Sequence, residues 1–265
     1  MIPPEKQELV HNLWDALALL PASQPDEALA HLLATMARLL RSETGYWVGA
    51  CRLREGNPED AMQGWRMGPV FRHKALADGG DQLWRPIKEI PPGHPAEWFL
   101  ANLASNGRFR SSLLSQFPPG PDFDAGMYRQ NLWGHGYRDA LCVATPITER
   151  SEVCVSFFRG RQQPDFDEQD LKLACYGLRS LAWFHRRVLL SHGLLLAGKP
   201  LTHMERRVLR KLLTDCSEKQ IAEELNQKMD TTHKHVGSIY RKFGVNSRAG
   251  LMSVWLGHEP AQLLG

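Results

Sequence analysis

Long apolar segments are missing from this sequence of 265 residues, in which no run approaches the roughly 20 apolar residues of a membrane-spanning helix. The first residues lack the basic stretch and apolar core of a secretory signal. The five cysteines are an odd number without Cys-x-x-Cys spacing, which argues against a disulfide framework and a zinc ribbon. We therefore expect a cytoplasmic protein with no membrane partner and with buried, reduced thiols. The cysteines are Cys51, Cys142, Cys154, Cys175 and Cys216.

Motifs of the common hydrolases and nucleotide-binding enzymes are also missing. The sequence contains no Gly-x-Ser-x-Gly, no His-Glu-x-x-His and no Gly-x-x-x-x-Gly-Lys-Ser/Thr. His94, His135 and His185 are scattered without partners at metal-ligand spacing. His233 and His235 form a His-x-His pair, but residues two apart on a helix point in nearly opposite directions and do not share one ion. We predict no enzymatic activity, no metal and no cofactor.

Composition and charge indicate a soluble protein with a positive C-terminal region. Hydrophobic residues make up 43% of the chain and charged residues 23%, as in ordinary globular proteins. The length allows one large domain or two ordinary ones. Residues 199–265 hold eleven Lys and Arg residues against seven acidic ones, in a chain whose total net charge is +3. This asymmetry predicts an anionic partner, although a solvated basic helix face gives the same charge.

The first three quarters of the chain alternate between helical and strand patterns. Two helices are followed by strands, a β-hairpin with the polar turn 148–151, and one long helix with apolar residues at steps of three and four. Short helices are also expected in the Pro-, Gly- and Trp-rich middle. The predicted ranges are Glu5–Leu20, Asp26–Arg41, Tyr46–Leu53, Ala61–Val70, His94–Ser105, Asp124–Trp133, Asp139–Ile147, Glu152–Arg159 and Asp167–Ser191.

This order predicts an α+β domain, with an antiparallel sheet and flanking helices, over residues 1–192. It resembles sensor domains of the PAS or GAF type, and the segment Pro164–Leu171 is similar to the entry into the last helix of GAF-like domains. Such a domain senses a signal or mediates dimerisation. The helix Asp167–Ser191 is our predicted dimer contact.

The last quarter of the chain predicts an all-α unit of four helices over residues 201–265, after a linker at 193–200. Thr202 and Glu205 form a capping box, and Ser217 and Gln220 form a second one. The third helix is predicted over Met229–Lys242, with Met229, Thr232, Val236, Ile239 and Phe243 on its inner face. Gly244 is expected as a left-handed C-cap, and Ser247 as the cap of a last helix over Arg248–Leu256.

This segment resembles the LuxR-type helix-turn-helix of bacterial transcription regulators over about 50 residues without a gap. The matching residues are Leu201, Thr202, Glu205, Ser217, Lys219, Ile221, Ala222, Leu225, Thr231, His235, Ile239, Lys242, Phe243, Gly244, Val245 and Arg248. The resemblance implies that the third helix enters the major groove of double-stranded DNA. The implied DNA-binding residues are Lys219, Thr231, His233, Lys234, Gly237, Ser238, Arg241 and Lys242.

Three departures from the family pattern affect detail. Lys228 stands where the family has a capping Ser, so the third helix is expected to lack a side-chain cap unless Asp230 caps a later start. Gly237 replaces a side chain that is often long and base-contacting. Gly250 lies inside the last helix, where glycine costs up to about 1 kcal/mol relative to alanine.

Eight tryptophans are many for this length, and they suggest an apolar ligand pocket in the first domain. Trp47, Trp65, Trp84 and Trp133 are our predicted ligand contacts, with ordinary core packing as the commoner alternative.

Together these patterns predict a homodimeric DNA-binding transcription regulator, because one such unit reads only a half-site. Besides a sensor of a small-molecule effector, two other interpretations of the first domain stay open. The first is a ligand-free protein-interaction module. The second is an acyl-homoserine-lactone-type receptor, although the Trp-x-x-x-Tyr and Asp-Pro pattern of such receptors is not found.

Overall fold

The computed structural model describes residues 1–52, 64–73, 105–116, 130, 132–195 and 201–258. The chain divides into two compact units. The first consists of Met1–Ala18 and Ala28–Ala182, and the second of Leu19–Glu27 and Trp183–Gly265. The division after Ala182 comes earlier than the predicted linker at 193–200, of which residues 196–200 lie outside the described part.

The first unit is built on a five-stranded antiparallel sheet with the strand order β2-β1-β5-β4-β3. The strands are β1 (Thr44–Arg52), β2 (Trp65–Arg72), β3 (Arg110–Leu113), β4 (Tyr137–Thr148) and β5 (Ser151–Gly160), and the helices before them are α1 (Pro4–Leu19) and α2 (Pro25–Leu39). The predicted helices at the N-terminus, the first two strands and the hairpin are thus confirmed, as is the α+β class. The predicted helices His94–Ser105 and Asp124–Trp133 lie almost entirely outside the described residues.

The two faces of this sheet differ in chemistry because strand residues alternate between them. On one face, Gly45 lies against Phe157 of β5 and Leu33 of α2, so the helices cover an apolar layer. The opposite face carries Tyr46, Phe158 and Ala140, which form a separate buried cluster. We call the second face the polar face because it also carries charged side chains and thiols.

The predicted long helix Asp167–Ser191 is wrong as a single element. The structure has α3 (Glu168–Arg179) and α4 (Ala182–Ser191), separated by Ser180 and Leu181. The amide of Leu181 bonds to the carbonyl of Leu178, three residues back, which interrupts the four-residue ladder. The apolar steps continue through this break, so the periodicity alone does not reveal it.

Arg159 joins three elements of the first unit from a position that is 2% exposed. Its guanidinium donates to the carbonyl of Leu40 at the end of α2 (2.9 Å), to the carbonyl of Asp165 (2.7 Å) and to the carboxylate of Asp170 in α3 (2.8 Å). The ring of Phe166 lies under it, 4.2 Å from the guanidinium carbon. Asp170 also closes the capping box of α3 with Asp167. This ion pair therefore fixes the hairpin against both helices.

The second unit is helical, with α4 followed by α5 (His203–Leu212), α6 (Glu218–Glu224), α7 (Met229–Phe243) and α8 (Arg248–Trp255). Its core contains Leu209, Ile221, Val236, Ile239 and Phe243. The predicted all-α unit is confirmed, with helix limits within one residue of prediction for α7 and α8.

The local signals at the helix ends are also confirmed. Both capping boxes are formed, at Thr202 and at Ser217. Gly244 ends α7 in the left-handed conformation with φ of 64°, and the hydroxyl of Ser247 accepts from the amide of Gly250. Since these bonds depend on residues three apart, short sequence patterns predict them well.

Two predictions about burial are wrong. Met229, placed on the inner face of α7, is 47% exposed because it is the first residue of the helix and lies beyond the core. Of the five cysteines, all free thiols, only Cys51 is buried, and the other four are half-buried. Within the described ranges, none of the helices is long and apolar enough to cross a membrane.

Candidate nucleic-acid interface

A tight polar turn connects α6 to α7. Asn226 adopts a left-handed conformation with φ of 53°, and the amide of Gln227 returns to the carbonyl of Ala222 at 2.8 Å. The side-chain oxygen of Gln227 then accepts the hydroxyl of Thr232 at 3.1 Å. Thr232 is buried, and Gln227 satisfies its hydroxyl. The side chain of Gln227 thus allows a polar residue on the buried face of the following helix.

The helix α7 has one buried face and one exposed face. Thr232, Val236, Ile239 and Phe243 are buried against the rest of the unit. Given 3.6 residues per turn, the opposite side presents the exposed positions Asp230, Lys234, Gly237 and Arg241. We call these four residues the outward stripe.

Among the predicted DNA-binding residues, six are exposed and two are half-buried. The exposed ones are Lys219, Thr231, His233, Lys234, Gly237 and Arg241, and the half-buried ones are Ser238 and Lys242. The six exposed residues all lie on α6 or α7, which are neighbouring helices of the second unit. Their contacts with DNA stay predictions.

Ser238 and Lys242 bond to a buried carboxylate of α5. Glu205 is 4% exposed and accepts the hydroxyl of Ser238 at 2.7 Å and the ammonium of Lys242 at 2.6 Å. It also accepts the amide of Thr202 at 2.7 Å. Burial acts to raise the pKa of Glu205, but the hydrogen bonds from Lys242, Thr202 and Ser238 outweigh it and lower the pKa to about 2. This network fixes α7 relative to α5.

Another bond links the exposed face of α7 to α6. Nδ1 of His233 lies 3.0 Å from Oε2 of Glu218, which stands in the first turn of α6. The imidazole is 75% exposed, so this contact contributes little to stability. It does orient the His233 ring at the edge of the outward stripe.

Arg248 supports the unit from α8, a role that the sequence did not reveal. Its guanidinium donates to the carbonyls of Leu212 (2.9 Å), Cys216 (2.7 Å) and Thr214. These carbonyls lie at the end of α5 and in the following turn, where backbone acceptors lack helical partners. The family pattern marked Arg248 and Glu205 as matching residues, and only the coordinates show that both act inside the fold.

The start of α7 has no side-chain cap. Lys228 is the N-cap residue in extended conformation, and its side chain makes no capping bond. The helix begins at Met229, so Asp230 does not cap a later start. The absence of a side-chain cap at the start of α7, predicted from Lys228 in the sequence, is therefore confirmed.

Three of the four tryptophans predicted to contact a ligand lie in the described part of the first unit, and they occupy different surroundings. Trp47 and Trp65 are both buried, but the strand register places Trp47 on the helix-covered face and Trp65, opposite Arg52, on the polar face. Trp133 is 50% exposed beneath the guanidinium of Arg161. Trp84 lies outside the described residues.

The polar face of the first unit holds an ion pair instead. Arg110 of β3 donates to both carboxylate oxygens of Glu152, at 2.8 and 2.7 Å, and Glu152 is fully buried. Cys142 and Cys154 lie on the same face of β4 and β5, and a hydrogen bond between the thiols lowers the pKa of Cys142. In the described part, no group of three or more His, Cys, Asp or Glu side chains is placed to hold a metal ion.

Tyrosines occupy the other end of this face. The phenol of Tyr46 lies close to the phenol of Tyr137 and to the guanidinium of Arg72, and both interact with it electrostatically. Burial raises the pKa of Tyr46, and burial together with the charge of Glu43 raises the pKa of Tyr137 to about 12. Both phenols are therefore neutral at physiological pH.

Two short helices joined by a tight turn, the second with an exposed cationic stripe, define a helix-turn-helix DNA-binding domain. Residues 199–255 match the family described as bacterial regulatory proteins, luxR family. The C-terminal unit thus contains a LuxR-type helix-turn-helix, and the chain carries the DNA-binding domain of regulators of this type.

The solved structures that are similar to the whole chain include two at 12% sequence identity. One is SdiA in complex with octanoyl-rac-glycerol, with a TM-score of 0.42, covering 96% of this chain and 95% of that chain. The other is a crystal structure of Escherichia coli SdiA, with a TM-score of 0.37, covering 94% of this chain and 96% of that chain. No curated protein matches the sequence.

Proposed function

We propose that the protein is a cytoplasmic, non-enzymatic transcription regulator that binds a specific operator as a homodimer. In this proposal α7 lies in the major groove, with the outward stripe toward the base edges and with Lys219 and Thr231 near phosphates. The observation that carries it is the LuxR-type domain at 199–255, whose α7 exposes Lys234 and Arg241 opposite its buried face. Dimerisation follows from the half-site argument, since a single unit covers too few base pairs for useful affinity.

The cationic residues of α7 divide into two roles under this proposal. Lys234 and Arg241 face outward and contact DNA directly. Lys242 and Ser238 position the helix through Glu205, because their polar atoms already bond to its carboxylate. Substituting Lys234 therefore changes DNA affinity with little effect on folding, whereas substituting Lys242 changes both.

Binding of the full-length protein to duplexes selected from a random 30-bp library tests the proposal. Lys234→Ala is expected to weaken binding on the order of ten-fold and to reduce the salt dependence by about one charge. Lys172→Ala removes an exposed lysine of α3 and serves as the matched control, which should bind as the wild type does. Binding unchanged in a Lys234→Ala, Arg241→Ala double variant would refute the assignment of α7.

We also propose that the polar face of the first unit contacts a small-molecule effector. The support is chemical: Tyr46, Tyr137, Arg110 and Glu152 bring hydroxyl and charged groups onto an otherwise apolar sheet face. Small organic effectors are held by apolar walls with a few polar groups of this kind. Trp65 shares this face, so it is the tryptophan best placed to contribute.

Native mass spectrometry of the purified full-length protein distinguishes this proposal from a ligand-free interaction module. A co-purifying small molecule that is lost in Tyr137→Phe, or in Ser156→Leu at the β5 position paired with Tyr46 on the polar face, supports the effector site. The absence of any bound molecule, together with no thermal shift across a panel of amphipathic small molecules, favours the interaction module. Light scattering on the same sample measures the proposed dimer.

A further inference from the structure

Gly237 lies in the middle of α7, where neither packing nor backbone conformation requires a glycine. A Cβ added at this position would meet no atom within 4 Å. By contrast, a Cβ at Gly177 would lie 2.8 Å from the sulfur of Met36, and Gly244 has the positive φ of a C-cap. Gly237 has an ordinary helical φ and stands exposed. The fold therefore gives no reason for glycine here.

A glycine inside a helix also has an energetic cost. It loses more backbone freedom on folding than alanine does, which destabilises the helix by roughly 0.5–1 kcal/mol. Alanine at position 237 would remove this cost without any clash inside the chain. The missing side chain is therefore best explained by what the exposed face of α7 contacts.

The absence of a side chain at Gly237 shapes the exposed surface of α7. One helical turn on either side stand Lys234 and Arg241, the two exposed cations of the outward stripe. Between them the surface of α7 consists of bare backbone, with the Cα hydrogens of Gly237 outermost. Within the outward stripe, Gly237 therefore forms a shallow apolar notch between two positive charges, and the carboxylate of Asp230 lies one turn beyond Lys234.

We propose that Gly237 is a specificity-determining residue whose notch receives the 5-methyl group of a thymine in the major groove. The two flanking cations draw the helix toward the duplex, and the missing Cβ lets the helix backbone approach the base edges closely. The thymine methyl is the one apolar group that bases present in the major groove, and it is normally recognised by small apolar contacts. Sequence is read at this position by shape rather than by a side-chain hydrogen bond.

This inference rests on the proposed binding of DNA by α7, and its test separates the two. The wild-type full-length protein is used to select duplexes from the random 30-bp library, and affinities of variants are measured at one salt concentration. If the wild type selects no sequence, the proposed function fails. If it selects one, the variants at position 237 decide the present inference.

Gly237→Ala is expected to raise the thermal midpoint and to weaken binding to the selected duplex at least five-fold, with little change for unselected duplexes. Gly237→Leu should weaken specific binding further, because its side chain fills the notch. Ser253→Ala in α8 is the matched control: it also favours the helix, but away from α7, and should leave affinity unchanged. Gly237→Ala that is more stable and binds the selected duplex as tightly as the wild type overturns the proposal.

Uracil substitution supplies a second, independent measurement because uracil lacks only the 5-methyl group. Each thymine of the selected half-site is replaced in turn. One replacement should weaken wild-type binding three- to ten-fold and have no effect on the Gly237→Ala variant. Equal sensitivity of both proteins at every thymine, or no sensitivity in the wild type, contradicts the assigned contact.

Discussion

Each of the two units holds a buried carboxylate bonded to a cation, and the Arg159–Asp170 pair of the first unit is more enclosed than the Glu205–Lys242 pair of the second. In the first unit the side chains of Arg159 and Asp170 are 2% and 5% exposed. In the second, the side chain of Glu205 is 6% exposed and that of its partner Lys242 is 20% exposed. A fully enclosed charge depends entirely on its partner, whereas a partly open one also interacts with water. The first pair therefore fixes a fold, and the second holds a DNA-binding helix at the surface.

Arg159→Met is the largest expected effect, because it leaves the carboxylate of Asp170 buried without its cation. Removing one partner of such a pair costs about 3–5 kcal/mol. The carbonyls of Leu40, Asp165 and Pro164, which accept hydrogen bonds from Arg159, also lose their donor. Urea unfolding, with hydrogen exchange of the β4 and β5 amides to locate the loss, measures this effect.

The double variant Arg159→Met, Asp170→Asn provides the control for charge. It removes the uncompensated carboxylate and should recover part of the lost stability, although the carbonyls that bonded to Arg159 still lack a hydrogen-bond donor. A single variant as stable as the wild type, or a double variant less stable than the single one, would show that the enclosed pair is not the anchor of the first unit.

Acid is expected to weaken the second unit through a buried histidine near α5. Nδ1 of His192 lies 2.8 Å from Arg206, and burial followed by the charge of Arg206 lowers the pKa of His192 from 6.5 to about 4. The unfolded chain takes up this proton below pH 6.5 and the folded chain only near pH 4. The contribution of His192 to stability is therefore constant above pH 7 and falls by roughly 3 kcal/mol between pH 6.5 and 4.

Hydrogen exchange of α5 and α7 amides across this pH range measures the slope. His192→Gln keeps an acceptor for Arg206 but does not titrate, so its slope should be shallower. His31→Gln, an exposed position of α2, is the control and should keep the wild-type slope. Identical slopes in all three proteins would remove His192 as the cause. Burial also lowers the pKa of His185 to about 3, which accounts for the slope that remains in His192→Gln.

The two units also differ in how far the sequence predicted them. Helix ends in the second unit follow from hydrogen bonds between residues three apart, so Thr202, Ser217 and Gly244 were assigned correctly. The bonds from Lys242 and Ser238 to Glu205 could not be predicted, because Glu205 lies more than thirty positions away and only packing brings it near. Local patterns identify a helix, and its neighbours decide which of its polar side chains stay exposed.

In the first unit the strands were predicted, but the face of the sheet on which each tryptophan lies was not. Alternation identifies a strand, but it does not say which tryptophans share a face, because that depends on the register between strands. Trp47 and Trp65 therefore fell on opposite faces. The break between α3 and α4 could not be predicted for a related reason, because a single tighter turn leaves the apolar periodicity unchanged.

Glu205→Gln tests whether the open pair of the second unit behaves differently from the enclosed one. The amide keeps the shape and part of the hydrogen bonding but loses the charge opposite Lys242. We expect a loss of roughly 2 kcal/mol, smaller than for Arg159→Met because the Lys242 ammonium is partly hydrated. DNA affinity should also fall, since α7 is less firmly positioned.

The pH dependence sharpens this test. With a pKa of about 2 in the fold and an ordinary value of 4.5 when unfolded, Glu205 contributes stability above pH 4.5 that is lost as the pH falls toward 2. The Gln variant lacks this contribution, so its difference from the wild type should shrink below pH 4.5. A difference that stays constant down to pH 2.5 would mean that the charge of Glu205 is not what anchors α7.

The smallest expected effect is a gain in stability at the start of α7. Lys228 occupies the N-cap in extended conformation without a capping bond, so a serine there would accept from a free amide of the first turn. Lys228→Ser should stabilise the second unit by about 1 kcal/mol. Lys228→Ala removes the same charge without adding an acceptor, so the difference between the two variants isolates the cap. Equal stability of the Ser and Ala variants would show that water already satisfies the free amides at the start of α7, so that a side-chain cap adds nothing there.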